Sequence, residues 1–380
     1  MGFAALHPSC ILLLDIGRKV PVASIGRNNR SALRRIPAST QAKDAHETPL
    51  LAVALIACGV SCLASPSAAQ DGPIRHWLKQ RQQQKAAPDA STDTATPITR
   101  SGDYRFAIPH DGLTRMYRVH VPTGYDPATP APLLVALHGG GGNMDYQAND
   151  TYYGQISQSD RRGFVAVFPN GFSQRRNGRF ATWNAGNCCA DARDQNIDDV
   201  GFIRQVVTNI SRQMNIDRSR VYATGMSNGG MMACRLACQM PDVFSAIAAV
   251  AGTDNTRSCT PRRPVSILHI HARDDGRVLF AGGAGPDTRD TSKVTDFTSV
   301  AGSVAKWVRL NGCPATPRRS LEKPGAYCEL YAPCRDQARV QLCVTDSGGH
   351  SWPGGVKPRG DEPSQAISAN EVMWDFFDRR

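Results

Sequence analysis

The sequence has no run of 18 or more uninterrupted apolar residues, which excludes a polytopic membrane protein. It has no internal repeat, so solenoids and propellers are out. The Cys-x-x-Cys pairs of zinc ribbons are missing, and with them the usual framework of a structural metal site. No Gly-Lys-Ser/Thr follows its longest glycine run, and no G-x-G-x-x-G comes with an acidic residue placed for a ribose. Phosphate-loop and dinucleotide-binding chemistry therefore have no anchor. Charged residues make up 20% and hydrophobic residues 41%, an ordinary balance that excludes a wholly disordered chain.

What is present begins with an excess of positive charge, +11 over 380 residues. Part of it sits in residues 1–69, where seven basic side chains face three acidic ones. This segment holds an apolar run at 49–64, preceded by a basic stretch and followed by Ser67 and Ala69, small residues that suit a signal-peptidase site before Gln70. We read 1–69 as an export signal region and expect an extracellular or periplasmic protein, with a lipid anchor at Cys58 as the alternative. The rest of the positive charge is scattered, with no basic motif that suggests a nucleic-acid partner. Residues 70–101, rich in Gln, Ala, Thr and Asp, are expected to form a surface helix around Trp77 and then a flexible linker.

From 102 to 380 the pattern alternates. Continuous apolar runs at 132–137 and 164–168 predict buried parallel strands. Further strands are expected at 116–121, 220–224, 246–251, 265–270 and 339–344. Val200, Ile203, Val206, Val207, Ile210 and Met214 share one helical face, with Asp198 or Asp199 as its cap, and a last helix is expected at 370–377. Strands alternating with helices predict an α/β fold, a mostly parallel sheet with helices on both faces.

Gly225-Met226-Ser227-Asn228-Gly229 lies between the strand at 220–224 and a helical run, the G-x-S-x-G arrangement of a nucleophile elbow. A serine needs a base and an orienting acid. Beyond residue 271 the sequence holds one histidine, His350, in a glycine-rich loop after a predicted strand. The acid should follow the strand at 265–270, where Asp274 and Asp275 are adjacent; Asp275 is chosen and Asp274 is the alternative. His269 and His271 read as structural. A developing oxyanion needs two preorganised N–H donors. Asn228 should give one, and Gly140, within one position, the other, from the loop His138-Gly139-Gly140-Gly141-Gly142-Asn143.

LHGGGGN at 137–143, FPNG at 168–171, WNAGNCC at 183–189, DDVGFI at 198–203, RVYATGMSNGGMMACRLAC at 220–238, GGHSWPGG at 348–355 and ISANEVMWDFF at 367–377 together resemble secreted bacterial esterases. The resemblance is to the polyhydroxybutyrate depolymerase and feruloyl esterase types, related to carbohydrate esterase family 1, and it covers residues 102–380. It implies an α/β-hydrolase fold, a triad of Ser227, Asp275 and His350, and a carboxylic ester as substrate, either a hydroxyalkanoate polyester or oligomer or a feruloyl or acetyl ester of plant polysaccharide. No cofactor or metal is called for. One departure stands out: relatives tend to read His-Gly-Thr-x-Asp-Pro where this chain has His271-Ala272-Arg273-Asp274-Asp275-Gly276. Trp352 and Trp183 are candidate pocket walls. Nine cysteines follow residue 69, an odd number that leaves one unpaired if the others form disulfides. Cys188-Cys189 is expected to anchor a loop to the 234–259 region, and Cys313 to bridge Cys334. A thioesterase or peptidase using the same triad, and a non-catalytic polymer binder, are the rival readings.

Overall fold

The computed structural model describes residues 90–378 apart from Arg176, Arg289 and Thr295. The export region, Cys58 and the helix expected around Trp77 lie outside the described residues.

Ten strands form one sheet: β1 (Gly102–His110), β2 (Leu113–Val121), β3 (Ala131–Leu137), β4 (Val165–Pro169), β5 (Ile216–Met226), β6 (Ala246–Val250), β7 (Ser266–Ala272), β8 (Arg318–Lys323), β9 (Ala326–Tyr331) and β10 (Val340–Thr345). Their order is β1-β2-β4-β3-β5-β6-β7-β10-β9-β8. The six inner strands from β4 to β10 run parallel. Antiparallel ribbons, β1–β2 on one side and β9–β8 on the other, flank them. Every residue of β3, β4 and β6 is buried, which is why those strands read as unbroken apolar runs.

Strand alternation sends neighbours to opposite layers. Leu133, Val135 and Leu137 join one core, and Leu134 and Ala136 the other. The first core is roofed by α5 (Asp199–Gln213), α6 (Asn228–Gln239) and α7 (Val300–Asn311), through Phe202, Leu236 and Trp307 among others. The second is covered by the short α1 (Met144–Gln147) and α2 (Asp150–Tyr153), and by α8 (Ala369–Asp378), which brings Trp374 and Phe377. Two further helices, α3 (Gln155–Arg162) and α4 (Ala190–Asp194), lie in the connections. This is the α/β-hydrolase architecture expected from the sequence. Among the described residues no helix is long and apolar enough to cross a membrane.

Two expectations need correction, and one open alternative is resolved. The stretch 90–101 is not a loose linker. Ser91 donates its N–H to Arg105 O at 2.8 Å and accepts from Ala107 N at 2.9 Å, while Ile98 is buried and donates to Gln213 O at 2.9 Å. Polar composition concealed one buried isoleucine and a backbone pairing that composition does not encode. Asp198 alone caps α5, accepting from Gly201 N at 2.9 Å. Asp199 is instead fully buried and paired with Arg115 at 2.6 Å. Burial raises its pKa despite that arginine. Lastly, Cys188 and Cys189 pair with each other, not with the 234–259 region. The loop folds back on itself, Cys189 N donating to Trp183 O at 3.1 Å, and Cys238 takes Cys259. Cys313 bridges Cys334 as expected, Cys328 bridges Cys343 across the β9–β10 ladder, and Cys234 is buried and free.

Candidate active site

Between β5 and α6 stands a single residue, Ser227, with φ 56° and ψ −123°. A side chain in that region costs on the order of 1–3 kcal/mol and persists only where the surroundings enforce it. They do: Ser227 N donates to Val250 O at 2.8 Å, and its carbonyl accepts from Met231 N at 2.9 Å. The turn is also too tight for flanking side chains. A Cβ at Gly225 would lie 2.4 Å from Gly229 C, and one at Gly229 would lie 2.2 Å from Leu137 O. The G-x-S-x-G spacing is thus a steric requirement of packing this elbow against the end of β3.

After β3 the chain enters the glycine loop. Gly141 N donates to Ala181 O at 2.8 Å, and Gly142 N to Gly139 O at 3.0 Å, so these two donors are spent. Gly140 lines the same cavity as Ser227 and Asn228. The loop is held from below by His138, whose Nε2 accepts from Gly171 N at 2.9 Å. That leaves Nδ1 to donate to Gly139 O at 2.8 Å. Burial lowers the His138 pKa to about 4, so the ring is a neutral strut. Asn228 is fixed just as firmly. Its side-chain amide accepts from Trp183 N at 2.7 Å and donates to Trp183 O at 3.0 Å, while Trp183 Nε1 donates to His138 O at 2.9 Å.

The candidate acid and base meet at the carboxyl ends of the neighbouring strands β7 and β10. His350 Nδ1 lies 2.8 Å from Asp275 Oδ2, with both groups buried. Asp275 Oδ1 accepts from Arg277 N and Val278 N, each at 2.9 Å. His271 Nε2 lies 3.3 Å from Asp275 Oδ2 and 2.8 Å from Val278 O. Both neighbours are acceptors, so this nitrogen carries a proton. Its Nδ1 meets His269 Nε2 at 3.1 Å. Burial alone would raise the Asp275 pKa, but the bonds from His271 and His350 outweigh it and hold the carboxyl far below the ordinary range. Burial lowers the His350 pKa, partly offset by the Asp275 charge. With Nδ1 occupied by Asp275, Nε2 is the nitrogen left for proton transfer.

Of the two adjacent aspartates, Asp275 contacts the imidazole. Asp274 has a separate task, accepting from Gly348 N at 3.2 Å and Gly349 N at 2.8 Å, which ties the histidine loop to the acid loop. Arg273 stays on the surface, donating to Tyr327 Oη at 2.9 Å, and does not disturb the turn.

Ser227, Asn228 and Gly140 open on a cavity of about 670 Å³, with Met231, Val278 and Phe297 among its apolar lining. Neither tryptophan expected as a wall is among its lining residues. Trp183 is fully buried and serves as the brace just described. Trp352 is 4% exposed and packs edge-on to Tyr153, ring centres 5.5 Å apart. Their large apolar area goes to the core instead. Sequence reading missed the strut role of His138, the tether made by Asp274 and the cavity rim at Arg175, Arg179 and Phe180. Only the last had a visible signal, the basic-aromatic run at 174–180. Among the described residues no group of His, Cys, Asp and Glu could hold a metal ion.

Comparison with known proteins gives a consistent picture. The sequence model of the family described as "Esterase PHB depolymerase" matches residues 116–283. "Feruloyl esterase B" of Piromyces equi is 31% identical over 239 residues, 61% of this chain and 42% of that one. "Putative esterase NocK" of Nocardia uniformis subsp. tsuyamanensis is 32% identical over 263 residues, 65% of this chain and 73% of that one. The "Bifunctional acetylxylan esterase/xylanase XynS20E" of Neocallimastix patriciarum is 26% identical over 270 residues, 70% of this chain and 33% of that one. The chain thus spans less than half the length of the first and third of these relatives.

Proposed function

The chain belongs to the esterase PHB depolymerase family, and on that premise we propose that it is a serine carboxylic-ester hydrolase working through an acyl-enzyme. Ser227 Oγ attacks the ester carbonyl carbon, and its proton passes to His350 Nε2. The negative charge on the tetrahedral oxygen is met by the N–H groups of Gly140 and Asn228. His350 then gives its proton to the leaving alcohol as the C–O bond breaks. Water, deprotonated by the same nitrogen, attacks the acyl-serine and releases the acid. Asp275 keeps Nδ1–H bonded and offsets the imidazolium charge. The observation that carries this reading is the Ser227 elbow, held in a strained conformation and opening on the cavity.

The substrate is a hydroxyalkanoate polyester or oligomer, or a feruloyl or acetyl ester of plant polysaccharide, a reading supported by the names of the family and of two of the relatives above. Three disulfides outside the Cys188–Cys189 pair fit an oxidising compartment, and we place the protein outside the cytoplasm.

Ser227→Ala should abolish hydrolysis of p-nitrophenyl butyrate while leaving the circular dichroism spectrum unchanged. Turnover at the wild-type rate in that variant would overturn the assignment. Methyl ferulate, acetylated xylan, a hydroxybutyrate oligomer, a peptide anilide and an acyl thioester, assayed side by side, separate the substrate classes.

A further inference from the structure

The cavity above Ser227 is lined by apolar side chains and by several cationic ones. Among the described residues Arg175, Arg179, Arg277 and Lys293 line it, against Asp191 and Asp290, a net charge of +2 for these six. Lys293 is already engaged by Asp290 at 3.4 Å. None of the three arginines has an ion-pair partner among the described residues, and all three are exposed. The planar fork of an arginine suits two-point binding of a carboxylate or phosphate.

Their setting is built. Phe180 is 59% exposed, unusual for so large an apolar side chain, and its backbone has φ 60°, a region that bulky residues rarely enter. The Arg175 guanidinium lies 4.4 Å from the Phe180 ring centre and that of Arg179 6.0 Å. Stacking on a ring face fixes a guanidinium while leaving its edge donors open. The same loop is bonded to the glycine loop, through Gly141 N to Ala181 O at 2.8 Å and Ala181 N to Gly142 O at 3.0 Å. From the other side, Arg277 is fastened by its backbone to Asp275 at 2.9 Å. Cationic groups are therefore attached directly to the segments proposed to carry the oxyanion donor and the acid.

Resting on the esterase reading, we propose that this rim is a carboxylate site. The enzyme selects esters that carry a free carboxylate a few bonds from the scissile carbonyl. Two sources share that chemistry, the acid end of a linear hydroxyalkanoate oligomer and the uronate of an acidic sugar.

The test compares kcat/KM for a hydroxybutyrate trimer with a free carboxylate against its methyl ester, and for acetylated glucuronic acid against its methyl ester. The free acid should be preferred in one pair, and that pair identifies the source. The preference should fall roughly two- to fivefold for each of Arg175→Gln and Arg277→Gln, the range of an exposed charge pair. It should also fall as salt is raised from 0.01 to about 0.5 M in the wild-type enzyme, a readout that needs no variant to fold. Lack of preference in both pairs, or a preference unmoved by salt and by both substitutions, overturns the proposal. Loss of the esterase reading itself would look different: the wild type would fail to hydrolyse p-nitrophenyl butyrate in a Ser227-dependent way.

Discussion

Replacing Asp275 by Asn should cost far more than replacing Asp274 by Asn, although the two carboxylates are neighbours in the chain. Asp275 accepts from four N–H groups: Arg277 N, Val278 N, His271 Nε2 and His350 Nδ1. An asparagine offers one oxygen and one donating NH2. If the oxygen keeps the two backbone donors, the NH2 must face His350 Nδ1. The ring then accepts there and carries its proton on Nε2, where it can no longer take the serine proton. If the oxygen turns to His350, the NH2 is driven against two backbone N–H groups. The first outcome is the wrong tautomer, for which the loss in kcat is about 10³–10⁴-fold, or ~4–5.5 kcal/mol of transition-state stabilisation. Asp274 is exposed and accepts only from Gly348 N and Gly349 N. An asparagine oxygen can still take the shorter bond, so Asp274→Asn should lose at most about tenfold, the difference between charged and neutral acceptors discounted for solvent. The assay is kcat for p-nitrophenyl butyrate, with the thermal midpoint recorded for both variants. An Asp275→Asn enzyme within tenfold of wild type, or a larger loss in Asp274→Asn, would refute the assignment.

Other expectations follow from the same geometry. His350 must be neutral to act as base, and burial lowers its pKa below the ordinary 6.5. The acid limb of kcat/KM should therefore lie below pH 6.5, and a limb above it would contradict the burial argument. His271→Leu removes an N–H from Asp275, leaving more negative charge to favour the imidazolium. The His350 pKa should rise and the acid limb move to higher pH; an unmoved limb would make His271 a packing residue only. His138 titrates near 4 in the folded protein but near 6.5 when unfolded. Below pH 6.5 the unfolded chain binds a proton that the folded one refuses, so stability should fall by about 3 kcal/mol between pH 6.5 and 4 from this group. Urea midpoints across that range, compared between wild type and His138→Gln, measure it.

The central strands were legible because both their faces are buried, and the α5 stripe because one face is. The outer ribbons were harder to see. β1 and β8 are edge strands with mixed exposure, and their turns, Asp111-Gly112 and Pro324-Gly325, were the only strong local signals. At the proposed site, the nucleophile is legible from the G-x-S-x-G spacing and its demanding turn, and the base by elimination, since a single histidine follows residue 271. The choice between Asp274 and Asp275 rests on which carboxylate meets an imidazole 75 residues away and which meets two glycine amides. Local sequence holds no information on that. The tryptophans misled because an aromatic beside a reactive residue looks the same in sequence whether it faces the cavity or braces the loop behind it.

The pairing of Ser91 with β1 bears on how much of the chain a functional fragment needs. A protein trimmed to begin at Gly102 would keep every residue of the cavity and every strand of the sheet. It would also bare the outer edge of β1 at Arg105 and Ala107, and uncover the pocket that receives Ile98. Such an edge is a template for strand addition by another copy. The dozen residues that look dispensable thus act as a guard against self-association, and losing them would be felt in solubility before it was felt in turnover.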